Sequence, residues 1–371
     1  MESPEYIRLS TAASILLGFE RGLFYRGAIP LCINFLLCFN DGCKANCLYC
    51  GQAREVSKDS MCKTLIRVEW PCYKLSDVLS RIKERILGNG CFLRPNRICV
   101  ATITNYKAKE AEIEVIKNVK KELNIPISAL ITPTLFREED MKELRNAGAE
   151  RIGIAIDCAT KEIFDILRGS RARGPHRWER YLNGVEEAVN VMGKGKVGIH
   201  LIIGLGETER DAVNLMQWAR DIGAETHLFS FYPEEGSVLE EWIRPPISQY
   251  RRVQLARYLI DNGIARAEDM KFNEHGQIID FGVPERELEL IIDLGEPFLT
   301  SGCPGCNRPY ANERPSEPIR NYPFPPSRRD IAMIKRQLRR YITPKNDLKS
   351  LLKYLGGLRS EVALSIPQSA C

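Results

Sequence analysis

Residues 31–51, LCINFLLCFNDGCKANCLYCG, decide the fold. Leu31–Phe39 is an almost unbroken apolar run, the pattern of a strand buried on both faces. It passes directly into a loop, Gly42-Cys43-Lys44-Ala45-Asn46-Cys47-Leu48-Tyr49-Cys50-Gly51, with three thiols at C-x3-C-x2-C spacing. A strand with two apolar faces needs parallel neighbours and a layer of helices over it.

Downstream, helix-period segments alternate with short apolar runs from about residue 75 to 235. Ser76–Leu87, Lys109–Leu123, Glu138–Ala147, Trp178–Val191 and Glu207–Ile222 read as helices. Arg97–Ile103, Ile127–Ile131, Arg151–Asp157, Val197–Ile203 and His227–Phe231 read as buried strands. With Leu31–Phe39 placed first, six parallel strands are expected, and stretches near Lys271–Gly276 and Glu289–Asp293 offer two more. The expected fold is therefore an α/β barrel of the (β/α) type, partial or complete. Residues 1–296 would form the barrel with an N-terminal extension. Residues 297–327, rich in Pro and Gly, would form an ordered or ligand-held loop, and 328–371 a basic helical tail.

Composition agrees with a large globular chain. Of 371 residues, 44% are hydrophobic and 27% charged, enough apolar surface for one sizeable core. No apolar run of about 18 residues is present, and the N-terminus lacks the pattern of an export signal, so a cytoplasmic protein without a membrane span is expected. The net charge of +5 hides an asymmetry: Arg328–Arg359 holds ten Lys/Arg against two Asp/Glu, a local +8. Such a run reads as a solvated helix face or a docking surface for an acidic partner. No nucleic-acid-binding motif accompanies it.

Thirteen cysteines in a chain without an export signal point to metal chemistry rather than disulfides. Cys62, Cys72, Cys91, Cys99, Cys158 and Cys371 stand alone and read as ordinary thiols. The trio Cys43, Cys47 and Cys50 lacks the fourth ligand of a tetrahedral zinc site but suits a [4Fe–4S] cubane with one open iron. An open iron chelates an amine and a carboxylate together, as the methionine end of S-adenosylmethionine (SAM) offers. Residues at two strand-to-helix junctions add to this. Asp157 ends a strand, where it would accept from ribose hydroxyls or cap the next helix. Gly204, Gly206 and Glu207 follow the next strand, where glycines let backbone approach a flat base. One of Arg168, Arg171 and Arg173 would clamp the SAM carboxylate, and Arg168 is our choice. His200 and His227 lie inside strands and read as core or barrel-lining residues, and His176 and His275 point to no ligand role.

The C-x3-C-x2-C spacing, Tyr49 before the last cysteine and the strand-end position resemble the radical SAM superfamily. The run Ile203–Glu207 is similar to that superfamily's adenine-binding pattern. Its usual Gly-Gly-Glu segment after the second strand is replaced here by Ala101-Thr102-Ile103-Thr104-Asn105, so backbone carbonyls, or Thr104 and Asn105, would contact the methionine amine.

Cys303-Pro304-Gly305-Cys306 is a second metal-type pair, with partners expected from Cys38 or Cys32 at the barrel mouth and from Ser316 as an oxygen ligand. An auxiliary iron–sulfur cluster is the reading, with structural zinc and unligated thiols the alternatives. The stretches GLFYR at 22–26, IRVEWP at 66–71, IGIAID at 152–157, HLIIGLGETERD at 200–211 and SGCPGCNRPYANERPSEP at 301–318 resemble one component of the archaeal two-component lipoyl synthases, biotin-synthase-like proteins. That resemblance implies a 5′-deoxyadenosyl radical that abstracts hydrogen from a protein-bound octanoyl chain, with sulfur supplied by the auxiliary cluster. It implies an acidic octanoyl-carrier domain, a paralogous partner protein and a reducing electron donor. It also implies a labile Ser316 ligand. The competing readings are a biotin synthase or another radical SAM enzyme, a non-catalytic iron–sulfur electron carrier or scaffold, and a nucleic-acid-modifying enzyme.

Overall fold

The structure, a computed structural model, describes residues 1–87, 95–343 and 345–364. Cys91 and Cys371 lie outside the described residues. In chain order the elements are β1 (Tyr6–Leu9), α1 (Thr11–Leu17), β2 (Cys32–Leu36), β3 (Cys72–Lys74), α2 (Leu75–Ile82), β4 (Arg97–Ala101), α3 (Ala108–Glu122), β5 (Ile127–Ile131), α4 (Glu138–Ala147), β6 (Ala149–Asp157), α5 (Lys161–Leu167) and α6 (Trp178–Met192). There follow β7 (Val197–Ile203), α7 (Glu209–Ile222), β8 (Glu225–Ser230), α8 (Ile247–Asp261), β9 (Lys271–Phe272), β10 (Ile278–Asp280), α9 (Glu285–Leu294), α10 (Arg328–Leu338) and α11 (Leu348–Leu364).

One sheet runs in the order β3-β1-β2-β4-β5-β6-β7-β8. The six strands from β2 to β8 are parallel, with Cys32 opposite Arg97, Cys99 opposite Ser128 and His200 opposite His227. Inward side chains from all six, among them Cys32, Cys99, Leu130, Ala155, His200 and His227, line one cavity, so the sheet is rolled. The opposite face is covered by α3, α4, α6 and α7, which bury Val115, Leu144, Val185 and Met216. The short antiparallel strands β1 and β3, absent from the sequence reading, extend the β2 edge.

Eight-strand closure does not occur among the described residues. Lys271–Phe272 pairs only with Ile278–Asp280, in a separate two-stranded sheet. Residues 289–293 belong to helix α9, whose Leu288, Ile291 and Ile292 fall three and one residues apart on a single packed face and which ends at Gly295 in the left-handed region. The roll is therefore open, with β8 as an edge. The Pro/Gly-rich segment fills the seam. Ser301 Oγ accepts from Leu228 N on β8 at 2.7 Å, and Asn307 Oδ1 accepts from Leu31 N beside β2 at 2.8 Å. Asn307 also donates to Ile29 O at 2.9 Å.

Helix α8 escaped the sequence reading because it hides polar groups instead of apolar ones. Arg251 and Arg252 on it are 0% and 1% exposed. Arg252 pairs with Glu209 of α7 at 2.6 Å and donates to Arg340 O at 2.8 Å beyond α10. Glu209 also accepts from Ile278 N at 2.8 Å. Removing one partner strands a buried charge, so Arg252→Met is expected to lower stability by about 3–5 kcal/mol. Chemical denaturation of the variant beside wild type measures it.

Candidate functional site

The three-thiol loop leaves β2 and is stapled to neighbouring strand ends by its own backbone. Lys44 N donates to Thr104 O at 2.7 Å beyond β4, and Leu48 N donates to Leu167 O at 2.8 Å on α5. Asn105 Nδ2 donates to Asp41 Oδ1 at 2.8 Å and Gly42 O at 2.9 Å. Asn105 thus holds the loop's entry and does not face the cavity, contrary to the expected methionine contact; Thr104 does line it, beside Cys43. Cys43, Cys47 and Cys50 all face a cavity of about 500 Å³. Burial pushes their thiols up, Cys47 to about 12 and Cys50 well above its ordinary value. Buried thiols of this kind are poor acids on their own and become thiolates when a cation is bound.

A polar chain runs behind the loop. Asp157 Oδ2 accepts from Tyr49 Oη at 2.6 Å and from Arg168 at 2.8 Å. Arg168 also donates to Ile156 O at 2.8 Å and to Tyr181 Oη at 3.0 Å, and Tyr181 meets Thr132 at 2.6 Å. Asp157 sits at φ +65°, a left-handed conformation that the two hydrogen bonds hold in place at the cavity wall. Burial raises its carboxyl, against the pull of Arg168 and Tyr49. Tyr49, Asp157 and Arg168 therefore act as one unit. Arg171 and Arg173 do not line the cavity, and Arg173 pairs with Glu55 at 2.9 Å.

The glycine turn after β7 is oriented differently from the expectation. Gly204 (φ +112°) packs against Pro245, and Gly206 (φ +118°) faces Leu348 and Leu351 of α11; neither lines the cavity. Glu207 folds back on the turn, accepting from Gly204 N at 2.6 Å and Leu205 N at 2.9 Å. Its role here is to fix the turn from below. Asn46, which the sequence reading passed over, braces the three-thiol loop through a bond to Ala172 O at 2.9 Å.

A second group of thiols meets at the other end of the same cavity. Cys32 opens β2, Cys99 lies on β4, and Cys303 and Cys306 come from the seam segment; all four line the wall. Ser128 Oγ donates to Cys303 Sγ at 3.3 Å. A hydrogen bond from Cys32 and the charge of Arg308 bring Cys306 down to about 6, while Cys32 is pushed well up by the same bond and by burial. The sequence reading is corrected at four points. Cys99, read as an ordinary thiol, belongs to this group, because alternation along RICVA turns it inward with Arg97 and Ala101. Cys38 does not: it lies past Leu36, where β2 ends, and its sulfur turns to Cys72 at 3.8 Å. Ser316 is exposed and off the cavity wall. The group also sits at the N-terminal end of the strands and not at the mouth that holds the Cys43 loop. Among the described residues no three His, Cys, Asp or Glu side chains converge on a single-ion site. A cubane gives each thiolate its own iron and asks for a ring of sulfurs instead.

Burial brings the Glu207 carboxyl up to about 7, from an ordinary 4.5, against the backbone N–H groups of Gly204, Glu207 and Leu205. Between these values the folded chain holds more protons than the unfolded one, so this group's contribution to stability falls as pH rises from about 4.5 to 7 and is level above. Glu207→Gln, which does not titrate, is expected to lack that slope of ~1.4 kcal/mol per pH unit at most. Parallel unfolding curves at pH 5, 6, 7 and 8 test it.

The profile of the Radical SAM superfamily matches residues 37–219, from the end of β2 through α7. A biotin synthase of Persephonella marina is 23% identical over 210 residues, 54% of each chain. One from Aquifex aeolicus is 25% identical over 206 residues, 53% of this chain and 54% of its own. A GTP 3',8-cyclase of Limosilactobacillus fermentum is 23% identical over 131 residues, 35% of this chain and 37% of its own. The chain spans about half the length of the biotin synthases it matches. No helix among the described residues is long and apolar enough to cross a membrane. With its three-thiol loop at the C-terminal end of a rolled parallel sheet, the chain carries a radical SAM superfamily domain over residues 37–219.

Proposed function

We propose that this protein inserts sulfur into an unactivated C–H position, using two iron–sulfur clusters at opposite ends of one cavity. The carrying observation is that Cys43, Cys47 and Cys50 share that cavity with Cys32, Cys99, Cys303 and Cys306. The trio would hold a [4Fe–4S] cluster with SAM, and the four-thiol group a second, auxiliary cluster. The donor chemistry fits both, since seven thiols without a cation have little reason to line one interior. When bound, the first cluster with SAM supplies a one-electron cleavage whose organic radical breaks strong C–H bonds, and the second supplies sulfide.

The chain's own groups have definable tasks. Tyr49 and Arg168 fix the Asp157 carboxylate where a ribose would be read, and Thr104 faces the place beside Cys43 where an amine would be met. Phe35, Ile103, Ile202 and Phe229 give the wall an apolar character that accepts an alkyl chain and keeps water from a reactive centre. Ser128 donates to Cys303. The narrower reading is a lipoyl-synthase component acting on an octanoyl group carried on a lysine of an acidic domain, with a paralogous partner for the second carbon and an external one-electron donor. It is supported by the apolar wall and by exposed Arg336, Arg339, Lys345, Lys349 and Lys353 on and beside α10 and α11. A biotin-synthase-like reaction is the second reading, favoured by Cys32 and Cys99 lying on barrel strands.

Anaerobic reconstitution with iron and sulfide, counted by Mössbauer spectroscopy, separates these. Two [4Fe–4S] clusters are expected in wild type and one in Cys303→Ala/Cys306→Ala, with Cys99→Ala also losing the second. A [2Fe–2S] second cluster would favour the biotin-synthase-like reading. A single cluster in wild type would sink sulfur insertion.

A further inference from the structure

Arg308 is a cation facing the cavity without an acid to balance it. Among the described residues no carboxylate lies within ion-pair distance of it, whereas Arg168 has Asp157 and Arg97 reaches Glu150. Its side chain is fixed all the same. The guanidinium carbon stands 4.0 Å over the Phe229 ring, and one nitrogen donates to Ser301 O at 2.6 Å. The Nε–H is buried and without a partner. Its backbone is held at φ +26°, directly after Asn307, which is tied to Leu31 and Ile29. Its positive charge acts on Cys306, Cys99, His200, His227 and Tyr250. Both histidines are kept neutral, His200 with its pKa drawn down to about 3 by burial and then by Arg308, so neither competes as a cation.

A guanidinium left without an anion in a low-dielectric wall is costly. Four thiolates around an iron–sulfur cluster carry net negative charge, and the cluster's potential follows that charge and the hydrogen bonds to its sulfurs. We propose that Arg308 is the counter-charge of the second cluster, a positioning residue that sets how readily that cluster accepts an electron, with Ser128 as the hydrogen-bond donor to Cys303. The proposal rests on the sulfur-insertion reading, which supplies the cluster. Removing the positive charge favours the more oxidised, less negative cluster and so lowers its potential. Losing the Ser128 donor acts in the same direction and by less.

The test is an EPR-monitored redox titration of the anaerobically reconstituted full chain: wild type, Arg308→Gln, Arg308→Lys and Ser128→Ala. For Arg308→Gln the second cluster's oxidised-to-reduced ratio at fixed potential is expected to rise at least tenfold, about 59 mV for one electron. The cluster at Cys43, Cys47 and Cys50 is expected to stay where it was, and Arg308→Lys to recover most of the shift. If Arg308→Gln does not assemble the second cluster, Arg308→Lys must assemble it and Ser128→Ala must still shift it. Two clusters with unmoved potentials, or both moving together, overturns the role of Arg308 and leaves sulfur insertion standing. One cluster in wild type removes the sulfur-insertion reading itself, and this one with it.

Discussion

The open seam of a six-stranded roll is the constraint on which the rest depends. Six parallel strands curve around a cavity but, among the described residues, leave the outer edge of β8 unpaired, and an exposed edge beside an apolar interior is unstable. The chain meets this with a loop. Ser301 accepts from the backbone of β8, and Asn307 grips the backbone beside β2 through both ends of its amide. A segment tied at both sides of the seam has nowhere to send Cys303, Cys306 and Arg308 except inward. The element that closes the roll is thereby also the element that completes its interior chemistry.

The opposite end is organised by backbone hydrogen bonds of the three-thiol loop, reinforced by buried side chains. Lys44 and Leu48 anchor the loop to β4 and α5, while Asn46 and Asn105 brace it from the sides. Behind it Arg168 joins Asp157, Tyr181 and the β6 carbonyls, so that the carboxylate facing the cavity and the phenol next to Cys50 keep fixed positions. Buried networks of this kind gain rigidity as their members are satisfied, and here the Asp157 carboxylate and both phenols are bonded while the Arg168 Nε–H is left without a partner.

The tail is not a free appendage. Helix α10 is joined to the N-terminal region by Arg26–Asp330 at 2.8 Å, and Leu351 of α11 is fully buried near Gly206. Arg336, Arg339, Lys345, Lys349 and Lys353 nonetheless face outward, so a solvated helix face and a docking surface are compatible uses of one element. The packing of α11 on Gly206 favours a glycine there: a Cβ would press on Leu351 at 3.3 Å, and φ +118° is hostile to other residues.

By itself the sequence determined the six parallel strands, most of their helices and the Cys43–Cys50 loop. Those are local facts, written in apolar runs, helical spacing and thiol spacing within a few residues. It also singled out Tyr49, Asp157 and Arg168, because strand ends are where a parallel barrel exposes side chains. Only the tertiary structure decided which cysteines meet. Cys99 and Cys303 are far apart in sequence and are joined by a seam that no local pattern encodes. Cys38 was misassigned because alternation holds only within a strand, and β2 ends at Leu36. Helix α8 was illegible for a related reason: Arg251 and Arg252 look like surface residues until Glu209 and backbone carbonyls from distant segments surround them.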